Sequence, residues 1–204
     1  MIFEQIPLGP MQNFAYLIGD EKTGQAVVVD PAWDVSKIED TVKRHNLRVI
    51  FIIDTHNHHD HTSGNDELAE TTGAKVVAHD ASKLKKDISV KDGDVLQVGS
   101  LEVRFIHTPG HSPDSISVLV GNKLVSGDTL FVGECGRTDL PGGSSEQLYD
   151  SLFNKLAKLP DEIEVYPGHD YGAEPHSTIA YEKAHNYVLK PRTVREFIQF
   201  MKEP

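Results

Sequence analysis

Apolar and polar residues alternate in short blocks along most of this chain, and the blocks predict many strands and few long helices. Residues 1–30 read as strands separated by turns. Asn13-Phe14-Ala15-Tyr16-Leu17-Ile18 stops at Gly19-Asp20, and the β-branched run Ala26-Val27-Val28-Val29 stops at Asp30-Pro31. Val35, Ile38 and Val42 then fall at helical spacing, with Asp34 placed to cap a helix running to about Asn46. Val49-Ile50-Phe51-Ile52-Ile53 is apolar throughout and reads as a buried strand. A short helix from Gly64 to about Thr72, ended by Gly73, precedes the strand Lys75–His79.

Between Asp94 and Val125 the pattern gives strand after strand: Val95–Val98, Leu101–Ile106, Ile116–Val120 and Lys123–Val125. Gly99-Ser100 and Gly121-Asn122 are hairpin turns. A helix is expected from Ser144 to Leu159, opened by a capping box of Ser144 and Gln147. A late strand, Glu162–Tyr166, precedes helical segments at about 175–187 and 192–202, separated by Pro191. Two sheets packed face to face, with helices outside, accommodate this order.

The strand at 49–53 runs into Thr55-His56-Asn57-His58-His59-Asp60-His61-Thr62, where four residues are imidazoles and one is a carboxylate. A rigid strand that ends in such a loop delivers nitrogen and oxygen donors to one place, as a metal site requires. His56 and His58 share a side of an extended backbone. Asp60 and His61 reach the same cavity from the turn that follows. Three more strands end in ligand-type residues beside glycine: Gly110-His111, Gly127-Asp128 and Gly168-His169. Those glycines let the backbone approach the site. Asp30, at the end of its own strand, is placed to hydrogen-bond a ligand histidine. By the same alternation His59 and His107 point away, His79 ends a strand, and His176 and His185 fall on late surface segments. Trp33 is expected to pack in the core or at a sheet edge, and Cys135 to be a small buried packer.

The ordered set His56-x-His58-x-Asp60-His61, His111, Asp128 and His169 resembles the metallo-β-lactamase superfamily over about residues 1–172. That resemblance implies an α+β, four-layer αββα sandwich with metals at one edge of the two sheets. It would make residues 1–204 a single domain of this type, with 175–204 a short helical C-terminal extension. It implies one metal on His56, His58 and His111, a second on Asp60, His61 and His169, and Asp128 bridging them. The ions would be divalent zinc, iron or manganese.

Leu8-Gly9-Pro10-Met11-Gln12-Asn13-Phe14-Ala15-Tyr16-Leu17 resembles glyoxalase II-like thioester hydrolases. Cys135-Gly136-Arg137-Thr138-Asp139-Leu140 and Tyr166–Tyr171 resemble persulfide dioxygenases. The chain stops short of the helical domain that supplies glutathione contacts in long glyoxalase II. The resemblance thus implies hydrolysis of a small thioester, with Asp60 orienting a metal-bound hydroxide. The alternative is a persulfide dioxygenase with one ferrous iron on His56, His111 and Asp128. A third reading is a non-catalytic, metal-stabilised binding protein. Arg137 and Tyr171 fit contacts to an anionic thiol carrier, and Arg137 equally fits an ion pair with Asp139.

A formal net charge of −11 on 204 residues argues against nucleic acid as the partner. The expected partner is a small thiol-derived substrate, with a homodimer left open. One cysteine gives no disulfide framework, and no apolar run approaches membrane length. The N-terminus lacks signal-peptide features, and a cytoplasmic location is the expectation.

Overall fold

The computed structural model describes residues 1–202. Its first half forms a six-stranded sheet. The strands are β1 (Ile2–Leu8), β2 (Asn13–Asp20), β3 (Gln25–Val29), β4 (Arg48–Ile53), β5 (Lys75–His79) and β6 (Ile88–Val90), in that spatial order. β1 to β3 pair antiparallel, and β3 to β6 pair parallel. Parallel neighbours need a crossover. Helices α1 (Val35–Arg44) and α3 (Asn65–Thr72) supply two of these. Asp34 caps α1 by accepting from the Lys37 amide, as the sequence predicts, and such a cap contributes about 1 kcal/mol. Gly73 ends α3 in the left-handed conformation.

The second sheet comprises β7 (Val95–Val98), β8 (Leu101–His107), β9 (Ile116–Val120), β10 (Lys123–Gly127), β13 (Glu164–Pro167) and β14 (Ser177–Thr178), with β14 and β7 at its edges. Both predicted hairpin turns are present, between β7 and β8 and between β9 and β10. A small hairpin, β11 (Leu130–Phe131) with β12 (Glu134–Cys135), leaves the end of β10. Its strands are two residues each, too short to show a period in the sequence.

The alternation explains the layers. Phe14, Tyr16 and Ile18 of β2 face inward, against Val103, Phe105, Ile116 and Val118 of the other sheet. Ala15 and Leu17 of the same strand face outward, against Ile38 and Val42 of α1. All eight residues of β2 are therefore buried, which is why the strand reads as apolar on both faces. The outer face of the second sheet, with Leu124 and Val165, is covered by Leu148, Leu152, Leu156, Ile179 and Phe197. Helix, sheet, sheet, helix is the resulting order: an α+β sandwich.

Two expectations change. The helix predicted over 144–159 begins as α4 (Ser145–Tyr149) but continues as a π-helical turn over Asp150–Lys155 and a 3₁₀ turn over Leu156–Lys158. Leu148, Leu152 and Leu156 are spaced by four and all fully buried. That spacing exceeds the α period, and a widened turn keeps the three in line against the sheet. Only the half of the capping box in which Ser144 accepts from the Gln147 amide is formed. The C-terminal segment is also not purely helical. Ser177 and Thr178 pair with β13 as an edge strand before α5 (Ile179–His185) and α6 (Val194–Phe200) pack on that sheet. Among the described residues no helix is long and apolar enough to cross a membrane.

A polar staple joins the two sheets. The Asp20 carboxylate accepts from the Ser100 amide at 2.7 Å, the Lys22 amide at 3.1 Å and the Thr23 hydroxyl at 2.9 Å. Those bonds, the Ser100 amide foremost, hold its carboxyl down to about 2. A depressed carboxyl contributes stability that is complete above the unfolded value and fades as pH falls toward the folded one. The gap in Tm between wild type and Asp20→Ala should therefore narrow as pH drops from about 4 to 2. A constant gap across thermal melts in that window would refute the staple.

Candidate metal centre

The C-terminal ends of β3, β4, β8, β10 and β13 all open toward one edge of the sandwich. β4 ends at Ile53, the chain bends at Thr55 and His56, and His58, extended at φ −72° and ψ 141°, leads into the single turn α2 (His59–Thr62). The turn swings Asp60 and His61 inward and leaves His59 exposed. The loop after β8 brings His111, the end of β10 brings Asp128, and the end of β13 brings His169.

The seven predicted donors converge. His56 Nε2 lies 3.0 Å from His58 Nδ1, which lies 2.9 Å from His111 Nε2. His61 Nε2 lies 3.2 Å from His169 Nε2, and Asp60 Oδ2 is 3.4 Å from each. Asp128 stands between the groups, with Oδ1 3.4 Å from His61, and Oδ2 3.6 Å from His111 and 3.4 Å from His169. Three sets have donor atoms mutually within 4.8 Å: His56/His58/His111, His56/His61/Asp128 and Asp60/His61/His169.

Hydrogen bonds from outside fix which ring nitrogens are bare. His111 Nδ1 donates to the Arg137 carbonyl at 2.8 Å, and His169 Nδ1 to the Met11 carbonyl at 2.9 Å. His61 Nδ1 donates to Asp30 Oδ2 at 3.1 Å. Thr55 donates its hydroxyl to the same Asp30 oxygen at 2.7 Å, so it accepts from His56 Nδ1 at 3.1 Å. In each neutral ring the Nε2 lone pair is then turned to the centre. Asp30 thus orients a histidine as the sequence suggests, and does so from a left-handed backbone, φ 51°. Bare nitrogens 3 Å apart repel unless a cation or a proton lies between them. Asp128 Oδ1 is buried with no hydrogen-bond partner. An imidazole and carboxylate set of this kind fits divalent transition-metal ions.

In the second donor set the neighbouring carboxylates favour protonated imidazoles, whereas burial disfavours the charged form of His56 and His58. Burial alone would depress the His169 imidazole, but Asp128 and Asp60 override it and lift the group to about 9. His61 is also raised: burial opposes, and the Asp128 charge prevails. A cation entering Asp60/His61/His169 must displace such a proton, so its affinity should rise with pH. The expected slope is about tenfold per pH unit per proton displaced, flattening above about 9. Competition titrations at several pH values check this; a flat affinity between pH 6.5 and 8.5 would contradict it.

A cavity of about 320 Å³ opens over the centre, walled by Met11, Phe131, Glu134, Arg137, Leu140 and Tyr171. Both predicted substrate contacts line it. Tyr171 stacks on His169 at 4.6 Å and meets the Phe131 edge at 5.5 Å. Arg137 makes the two-point ion pair with Asp139, both bonds 2.6 Å, and both side chains are exposed. Cys135 is buried, and burial pushes its thiol up, away from nucleophilic use. His107 stacks on His79 at 3.9 Å, outside the donor sets. Trp33 departs from expectation: it is 36% exposed, its backbone left-handed at φ 56°. Its indole donates to Asn13 Oδ1 at 3.1 Å. Asn13 itself carries no signature in the sequence beyond its place in an apolar strand.

An αββα sandwich with paired His/Asp sets at one sheet edge defines a class of metal-binding proteins. Residues 8–86 and 80–169 match the metallo-beta-lactamase superfamily, and the chain belongs to it. A hydroxyacylglutathione hydrolase of Polaromonas sp. is 40% identical over 179 residues, covering 84% of this chain and 67% of that protein. The mitochondrial persulfide dioxygenase ETHE1 of Homo sapiens is 31% identical over 196 residues, covering 93% of this chain and 76% of that protein. The crystal structure of ETHE1 from Myxococcus xanthus matches with a TM-score of 0.95 and 41% identity, covering 100% of this chain and 91% of that one. The chain spans about half, 51%, of a beta-lactamase hydrolase-like protein of Agrobacterium fabrum, to which it is 36% identical. The superfamily is largely one of hydrolases and dioxygenases.

Proposed function

We propose that the chain is a metal-dependent hydrolase that cleaves a thioester of a small thiol carrier. The observation that carries this reading is that the second donor set is as fully oriented as the first. Asp30 holds His61, the Met11 carbonyl holds His169, and Asn13 holds Asp60. Two divalent cations, zinc, iron or manganese, would supply an acidified water and Lewis acidity for the thioester carbonyl. Asp128, between the two donor sets, would serve both cations, and Asp60 would accept a hydrogen bond from the water and orient it. Tyr171 and Phe131 give the acyl or thiol portion an apolar wall. Arg137 stands at the mouth, where an anionic carrier would compete with Asp139 for its guanidinium.

A second reading has its own support. The match to ETHE1 of Myxococcus xanthus covers 100% of this chain and 91% of that one, whereas the match to the hydrolase relative covers 84% of this chain and 67% of that protein. Under this reading His56, His111 and Asp128, two histidines and one carboxylate, would hold one ferrous iron, a set suited to dioxygen chemistry. A persulfide, dioxygen and water would give a thiol and sulfite.

One paired assay separates them. Zinc-loaded protein is given a panel of glutathione thioesters without dioxygen, and iron-loaded protein is given glutathione persulfide in an oxygen electrode. Thioester turnover, lost in Asp60→Ala, is the expected result. Dioxygen uptake with sulfite release and no thioester turnover would overturn it in favour of the dioxygenase. Silence in both arms from metal-replete protein would leave a metal-stabilised binding protein.

A further inference from the structure

The Asp60 carboxylate lies on a single-turn helix at the mouth of the site, where a side chain with two free torsions would ordinarily wander. Here it does not have that freedom. Asn13 is 1% exposed and spends both amide hydrogens on this one residue: Nδ2 donates to Asp60 Oδ2 at 3.0 Å and to the Asp60 carbonyl at 3.0 Å. The carboxylate is thereby tied to its own backbone. Oδ2, the oxygen so held, is the one 3.4 Å from both His61 Nε2 and His169 Nε2.

The orientation of Asn13 is itself determined. Its Oδ1 faces the Trp33 indole nitrogen at 3.1 Å, and an indole N–H can only donate. A flipped amide would set Oδ1 against the Asp60 carboxylate and NH₂ against the indole hydrogen, two repulsions in a buried place. Trp33 cannot drift: a Cβ on Gly9 would lie 2.1 Å from its ring, and Ser63 Oγ accepts its backbone N–H at 2.9 Å. The backbone of Asn13 is anchored separately, through its bridge to His169 and the neighbouring bond from the Phe14 amide to the Gly168 carbonyl at 2.9 Å. Its side chain can be replaced while those backbone ties remain.

We propose that Asn13, locked by Trp33, is the positioning residue that presents Asp60 to a second cation. The inference rests on the two-cation reading above, and its test separates the two. Trp33 is the sole tryptophan, one residue removed from Asp60 through Asn13, so its emission reports on the clamp.

Metal-free full-length protein is titrated with zinc chloride by calorimetry, with tryptophan emission followed in parallel. Wild type should take two equivalents, and the second should shift the emission. In Asn13→Ala the first equivalent should bind as in wild type. The second should weaken by about 10- to 100-fold, the range seen when partners of metal ligands are removed, and the emission shift should vanish. Asn13→Asp should be worse than alanine, because it sets a carboxylate against Asp60 Oδ2. Trp33→Phe should loosen the second equivalent by less than Asn13→Ala does, since its amide is then free to turn.

Unchanged second-site affinity in Asn13→Ala overturns the inference, as does equal loss of both equivalents, which would mark a merely structural residue. If Asn13→Ala fails to fold by circular dichroism, Trp33→Phe decides, and wild-type binding there overturns the inference. A wild type that takes one equivalent overturns the two-cation reading first, and this inference with it.

Discussion

Asp128→Ala should lower turnover by more than roughly 10³-fold and reduce bound metal at both donor sets, with the fold intact by circular dichroism. The reason is position. Asp128 lies within 3.6 Å of nitrogens from both groups, His111 on one side and His61 and His169 on the other. Its carboxyl is held well below the usual range: burial opposes ionisation, and the surrounding imidazoles, His61 first, override it. The site thus favours the carboxylate form of Asp128. Asp128→Asn keeps the shape and removes the charge, and it should fail nearly as badly. If metal analysis found two equivalents in Asp128→Ala, the bridging role proposed for it would be wrong.

Gly168→Ala should cost about 10²-fold in activity and weaken metal binding while leaving most of the stability, since a one-methyl overpacking costs about 1–3 kcal/mol. A Cβ at this position would lie 2.3 Å from Asp128 Oδ1 and 3.0 Å from His61 Cε1. The methyl cannot be accommodated without moving one donor or the other. Gly73 provides the control. Its backbone is left-handed, φ 72°, with nothing within 4 Å of the added atom. Gly73→Ala should destabilise by about 1 kcal/mol and leave kcat and metal content unchanged. Equal losses of activity in the two variants would mean that Gly168 matters to folding only.

Much of this was legible in the chain. The all-apolar run of β4 and the histidines that follow it located the site, because a strand's end is a fixed point and imidazoles cluster for few other reasons. Asp34, Gly73, Gly99 and Gly121 marked boundaries through local chemistry: a cap needs an acceptor, and a left-handed turn needs a missing side chain. His111, Asp128 and His169 were legible because each repeats one motif, a glycine and a donor after a strand. The π turn at Asp150–Lys155 was not, since it answers to the line of leucines that the second sheet requires. β14 and the β11–β12 hairpin were not, since two residues carry no period.

The role of Asn13 was hidden for a different reason. Its side chain contacts Asp60, 47 positions away, and Trp33, 20 positions away. Neither separation follows from any local pattern, and only the packing of β2 beside α2 brings them together. The sequence by itself determined the donors, the strands that carry them and the family to which the chain belongs. These depend on residue type and on periods of a few residues. The tertiary structure alone decided which nitrogen of each ring is bare, that Asn13 ties Asp60 to Trp33, and that Trp33 is exposed. Those are facts of distance and direction, set where five strand ends from two sheets meet.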